Sequence, residues 1–170
     1  MNQSPQKLGK GMLIVAFVMG LALLTLLFDS FLSSQRNPNH NITTETIGNT
    51  REVILQRNRH GHYVATGAIN GHTVIFMLDT GATTISIPET VASRLNLKSG
   101  MPIQASTANG VITTYATRLD TVALGEISLD NVRANINPHM GGEEILLGMS
   151  FLKQLEFTQR GDTLILRQYL

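Results

Sequence analysis

The sequence predicts an all-β domain, closed into a barrel with one or two short helices and preceded by a single membrane-crossing helix. Three observations predict it. Gly11 to Phe28 is an apolar stretch of 18 residues. From Arg51 onward, short runs rich in Val, Ile and Thr alternate with turn signals. Two Asn-Gly pairs, at 70–71 and 109–110, mark tight hairpins between such runs.

The elements follow in chain order. Residues 1–10 contain Lys7 and Lys10 just before the apolar run, and Asp29 ends it. Residues 11–28 can just cross a bilayer core as a helix. Positive charge ahead of the span predicts an N-terminus in the cytoplasm and a domain on the other side, the periplasm in a Gram-negative cell. A cleaved signal peptide is the competing reading, but Phe31 to Ser34 offer no small-x-small site. Residues 29–50, rich in Ser, Asn and Thr, read as a flexible stalk. The folded domain is expected over 51–170.

Strands are expected at Glu52–Gln56, Tyr63–Ile69 and Thr73–Leu78, the last a continuous apolar run of the kind buried on both faces. Thr84–Ile87 extends again, and Pro88 opens a short helix with Val91 and Leu95 on one face. Ile103–Thr107 and Val111–Leu119 form a long hairpin about Asn109-Gly110. Further strands follow at Thr121–Leu124, Ile127–Leu129, Val132–Ile136, Ile145–Leu147 and Leu164–Arg167, with a short helix over Met149–Leu155. This spacing suggests a closed β architecture.

Composition narrows the function classes. The 170 residues carry a net charge of +1, 5% aromatic residues, no Trp and no Cys. A basic or base-stacking nucleic-acid surface is not indicated. Disulfides, thiolate metal sites and cysteine nucleophiles are excluded. His60, His62 and His72 lack the spacing of a metal site, so no metal or cofactor is expected. No Ser lies in a nucleophile-elbow context, and there is no phosphate-binding glycine loop. Glu143-Glu144 reads as a solvated loop pair.

The sharpest feature is Asp79-Thr80-Gly81-Ala82-Thr83, directly after the apolar strand. A carboxylate there is costly unless it has a task. Gly81 permits close backbone approach or unusual angles. The Thr80 hydroxyl can fix the loop, and Ala82 leaves room for a substrate backbone. An ordinary turn closing a strand would use the same residues.

Two later features accompany it: the hairpin tip Thr107-Ala108-Asn109-Gly110, and Leu146-Leu147-Gly148 within LLGMSFL. Together and in this order they resemble the retropepsin-like aspartic peptidases, in particular a bacterial membrane-tethered branch with a TANG flap tip and an LLGMSFL segment. The resemblance covers about residues 51–170 and the anchor. It implies that Asp79 is catalytic and that Thr80, Gly81, Ala82 and Thr83 form the active-site loop. It also implies that Ala108, Asn109 and Gly110 tip a flap over the substrate, and that Leu146, Leu147 and Gly148 pack beside the loop. A plain type I′ turn explains Asn109-Gly110 equally well.

The chain has one Asp-Thr-Gly; Asp120-Thr121 and Asp162-Thr163 lack the glycine. A single carboxylate cannot serve as base and acid in one step, so two copies of Asp79, one per chain of a homodimer, are expected to form the site. Like charges about 3 Å apart cannot both ionise, so such a pair holds one proton. Its ionised member activates water and its protonated member polarises the scissile carbonyl. The expected partners are a second copy, a peptide or protein substrate laid along the flap as a strand, and the membrane. A non-catalytic relative that binds peptides or dimerises at the membrane is the alternative.

Overall fold

The computed structural model describes residues 5–107 and 110–170, and its packing divides the chain after Arg36. The first unit is one helix, α1 (Pro5–Arg36). Its residues from Gly9 to Arg36 are long and apolar enough to cross a membrane. The helix runs past Asp29, where the sequence suggested an end, because nothing there breaks it: the next Pro is Pro38.

The second unit begins at Asn37. Its strands are β1 (Thr44–Ile47), β2 (Thr50–Gln56), β3 (Val64–Ile69), β4 (His72–Leu78), β5 (Ile85–Pro88), β6 (Pro102–Thr107), β7 (Gly110–Leu124), β8 (Ile127–Asn137), β9 (Glu144–Leu147), β10 (Glu156–Arg160) and β11 (Thr163–Tyr169). Two short helices interrupt them, α2 (Glu89–Arg94) and α3 (Met149–Leu152). One sheet runs β3-β4-β9-β5-β8-β7-β6, and a further β3–β7 pairing closes its first six strands into a ring. Gly67 lets β3 reach β7: a Cβ there would stand 2.5 Å from the Ala123 carbonyl oxygen. The second sheet, β1-β2-β11-β10, turns Val53, Leu55, Leu164 and Leu166 into the same core as Phe76, Ile85, Ile87, Ile145 and Leu147.

The stalk predicted over 29–50 is therefore replaced by the end of α1, an entry segment and β1. Asn39 explains the entry segment. Its side chain donates to the carbonyls of Gln56 (2.9 Å) and Val64 (2.7 Å) and accepts from the Gln56 N–H (2.7 Å). Its own carbonyl accepts from the Thr66 N–H (3.1 Å), and Asn37 donates to the Thr66 hydroxyl (2.9 Å). Asn37 and Asn39 are both buried. One amide thus ties β2 to β3 where those strands have no pairing of their own. Asn39→Ala would remove the partner of three backbone groups, the buried Val64 carbonyl and the part-buried Gln56 N–H and carbonyl, and is expected to cost about 1–3 kcal/mol, read as a lowered denaturant midpoint. A fragment starting at Arg51 should melt below one starting at Asn37 for the same reason.

Several boundaries also differ. β7 and β8 each absorb two predicted strands. Pro88 ends β5 and caps α2 from outside, since its φ of −56° suits both. After α3, residues 153–155 continue as single turns through Gln154 N–H to Phe151 O and Leu155 N–H to Leu152 O. β4 is buried on one face only: Val74 and Phe76 are enclosed, whereas Ile75, Met77 and Leu78 are half-covered. On the outer face of the second sheet, Glu156 accepts from the Tyr169 hydroxyl and from Arg167 (3.1 Å), and these bonds hold its carboxyl below its ordinary range.

Candidate active site

Strand β4 delivers Asp79. It pairs antiparallel with β3 and parallel with β9, with Leu78 opposite Leu147. The Asp79 N–H extends this ladder by one bond, to the Leu147 carbonyl (3.2 Å). The chain then turns: the Ala82 N–H donates to the Asp79 carbonyl (3.3 Å), and the Gly81 N–H donates to Asp79 Oδ1 (2.8 Å). One carboxylate oxygen is thereby fixed by backbone. Asp79 is half-buried.

Of the two uses expected of Gly81, close approach is the one found. Its φ is not in the left-handed region, but a Cβ would sit 3.1 Å from Asp79 Oδ1. The Thr80 side chain is exposed and its hydroxyl makes no hydrogen bond among the described residues, so it does not fix the loop as expected. Other groups do. The Ala82 carbonyl accepts from the Met149 N–H (2.8 Å), and the Ile85 N–H donates to the buried Ser150 hydroxyl (3.0 Å). Asn135 of β8 donates to Thr84 Oγ1 (2.8 Å) and accepts from Ser86 Oγ (2.9 Å). These polar residues carry no motif in the sequence; the one local signal is Asn135, a polar residue between Ala134 and Ile136.

Leu147 is in the core and Leu146 is half-buried. Gly148 faces the loop so closely that a Cβ would meet the carbonyl oxygens of Thr84 and, at 2.6 Å, Ala82. Its φ of −89° needs no glycine, so space alone excludes a side chain. The predicted hairpin is present: Thr107 pairs with Gly110, and the Thr107 hydroxyl donates to the Gly110 carbonyl (2.8 Å). Ala108 and Asn109, the expected tip, lie outside the described residues.

The loop and the hairpin face one cleft of about 600 Å³, a size that suits small-molecule or peptide ligands. Asp79, Ala82 and Thr83 line one side, Ile103 to Thr107 of β6 another, with Asn135, Asn137 and Leu146 between them. A smaller hollow of about 270 Å³ touches Asp79 and Thr80 from the second sheet and includes Tyr63. The buried Tyr63 hydroxyl has no partner among the described residues. Tyr63→Phe is therefore expected to leave thermal stability unchanged or slightly raised.

Comparison with known proteins agrees with this geometry. Residues 65–154 match a family model described as "gag-polyprotein putative aspartyl protease". The chain is 32% identical over 130 residues to an uncharacterized protein of a Sinorhizobium species, covering 74% of this chain and 55% of that one. An uncharacterized protein of Rickettsia prowazekii is 31% identical over 120 residues, covering 68% and 51%. The chain thus spans about half the length of the curated relatives it matches. A crystal structure of a retropepsin-like aspartic protease from Rickettsia conorii superposes with a TM-score of 0.61 at 30% identity, over 76% of this chain and 96% of that one. The closed barrel, the Asp79 loop at the end of β4 and the matched span make the chain a member of the gag-polyprotein aspartyl protease family, with the fold of a retropepsin-like aspartic peptidase.

Proposed function

We propose that the protein is an aspartic endopeptidase, active as a homodimer that contributes one Asp79 from each chain. The observation that carries this reading is the Asp79 carboxylate, anchored by the Gly81 N–H and open to a cleft bounded by the β6–β7 hairpin. A substrate strand laid in that cleft would find unpaired backbone partners along the hairpin. The shared-proton pair then works as general base and general acid. One Asp79 takes a proton from water as that water attacks the scissile carbonyl. The other gives its proton to the developing oxyanion, forming a gem-diol; the first Asp79 then passes its proton to the amide nitrogen as the C–N bond breaks, while the second takes one back from a gem-diol hydroxyl, which restores the singly protonated pair.

Helix α1 would anchor both copies in one membrane, with Lys7 and Lys10 on the cytoplasmic side and the domain outside the cytoplasm. This corresponds to a short cytoplasmic segment, one span and the peptidase domain. Domain orientation is tested by protease protection in spheroplasts; a domain shielded from added protease would sink it. Activity is tested with the full chain in detergent micelles against a peptide library, beside Asp79→Asn. Equal cleavage by the two proteins, or none by either at any pH from acid to neutral while dimeric, would leave only a peptide-binding module.

A further inference from the structure

Thr84 and Ile103, which line the Asp79 cleft, also line a second hollow of about 760 Å³. The two spaces therefore adjoin. The floor of the second is small or apolar, including Leu97, Gly100, Ala116 and Ala134. Its charged groups are three cations, Lys98, Arg118 and Arg133, against one carboxylate, Asp120, and all four side chains are exposed.

The placement of the two arginines calls for a reason. Arg118 on β7 and Arg133 on β8 stand directly opposite each other in the antiparallel register. Like charges in that relation destabilise a sheet. Arg118 finds only neutral acceptors, the Asn131 side-chain oxygen (2.6 Å) and carbonyl (3.4 Å). Among the described residues neither arginine forms an ion pair, and neither does Lys98. Arg94, a few residues before Lys98, does find a carboxylate in Glu143 (2.5 Å). Three cations are thus gathered around one hollow whose lining offers a single carboxylate, Asp120, and none of the three is ion-paired among the described residues.

We propose that this hollow is an extended substrate subsite that takes an acidic stretch of the polypeptide, several residues from the scissile bond. The proposal rests on the peptidase reading and adds a substrate class to it. A chain leaving the Asp79 cleft past Thr84 and Ile103 enters the hollow directly. Its stems lie on the apolar floor while Asp or Glu carboxylates meet the cations. A free inorganic anion would use the charges but not the floor, which is why a peptide is the better occupant.

The test uses the full chain in detergent micelles and three labelled peptides with one common core, extended by Glu, Gln or Lys residues. Binding is measured on Asp79→Asn, which keeps the peptide intact, and cleavage on the protein with Asp79. The Glu extension is expected to bind about tenfold more tightly than the Gln extension at low salt, with a matching ratio of kcat/KM values. Arg118→Gln with Arg133→Gln should erase the ratio. Arg118→Glu with Arg133→Glu should invert it in favour of Lys; the Glu pair keeps a like-charge pairing and should melt near the parent protein, whereas the Gln pair removes it and should melt no lower. Three extensions that bind alike would overturn the subsite while leaving the peptidase reading intact. So would inorganic phosphate at matched ionic strength displacing the Glu peptide as well as free Glu peptide does. Binding preference without cleavage of any peptide would instead overturn the peptidase reading and keep the acidic-segment site.

Discussion

Asp79→Asn is expected to lower kcat/KM for peptide hydrolysis by roughly 10⁴-fold, since general acid–base groups contribute about 10²–10⁴ and this residue type fills both roles in a dyad. The fold should survive the change. The Gly81 N–H that donates to Asp79 Oδ1 finds an equivalent acceptor in the Asn side-chain oxygen, and no ion pair to Asp79 is lost among the described residues. The dimer should persist or tighten, because two facing amides carry no charge to repel. Circular dichroism and sedimentation of the variant check these two points against the activity loss.

Mixing gives a sharper form of the same expectation. If each site needs one Asp79 from each chain, random exchange between native and Asp79→Asn protein makes activity fall as the square of the native fraction. A linear fall would mean that each chain acts alone and would remove the shared-dyad mechanism. The exchange must be allowed to equilibrate in mixed micelles, since α1 from both chains would sit in the same detergent phase.

The candidate site is legible in the sequence because its motifs lie in contiguous residues. Asp79 to Thr83 follow one apolar run, and Leu146 to Gly148 follow another, so local pattern alone marks both. The parallel β4–β9 pairing that joins them is a long-range event with no local trace. The domain's start was misplaced for a related reason. Asn37 and Asn39 look like linker residues, and only their bonds to Thr66, Gln56 and Val64 reveal them as buried structure. β1 and β10 escaped because edge strands of mostly polar residues, TETI and EFTQR, carry little alternation. The Thr84–Ser86–Asn135 network behind the loop is likewise invisible without the β5–β8 pairing that brings Asn135 opposite Ser86. Polar residues that satisfy distant partners do not announce the partner.

Gly148→Ala is expected to be the most damaging single-methyl change near the site. Overpacking of a close-fitted interior costs about 1–3 kcal/mol, and the upper end applies when the obstacle is backbone. Here the obstacles are the Thr84 and Ala82 carbonyls, which cannot rotate away as a side chain would. The Ala82 carbonyl is already held by the Met149 N–H (2.8 Å). Moving it breaks that bond, and the strain passes along the turn to Asp79, whose carbonyl accepts from the Ala82 N–H. Stability and turnover should therefore fall together: a lower urea midpoint and a reduced kcat in the remaining folded protein. Gly141→Ala is the control. It lies in the loop ahead of β9, has open space around it and no left-handed φ, so it should be neutral or stabilise by about 0.4–1 kcal/mol. If Gly148→Ala behaved like Gly141→Ala, the Asp79 loop would not be wedged against the β9–α3 junction, and the positioning of Asp79 would need another cause.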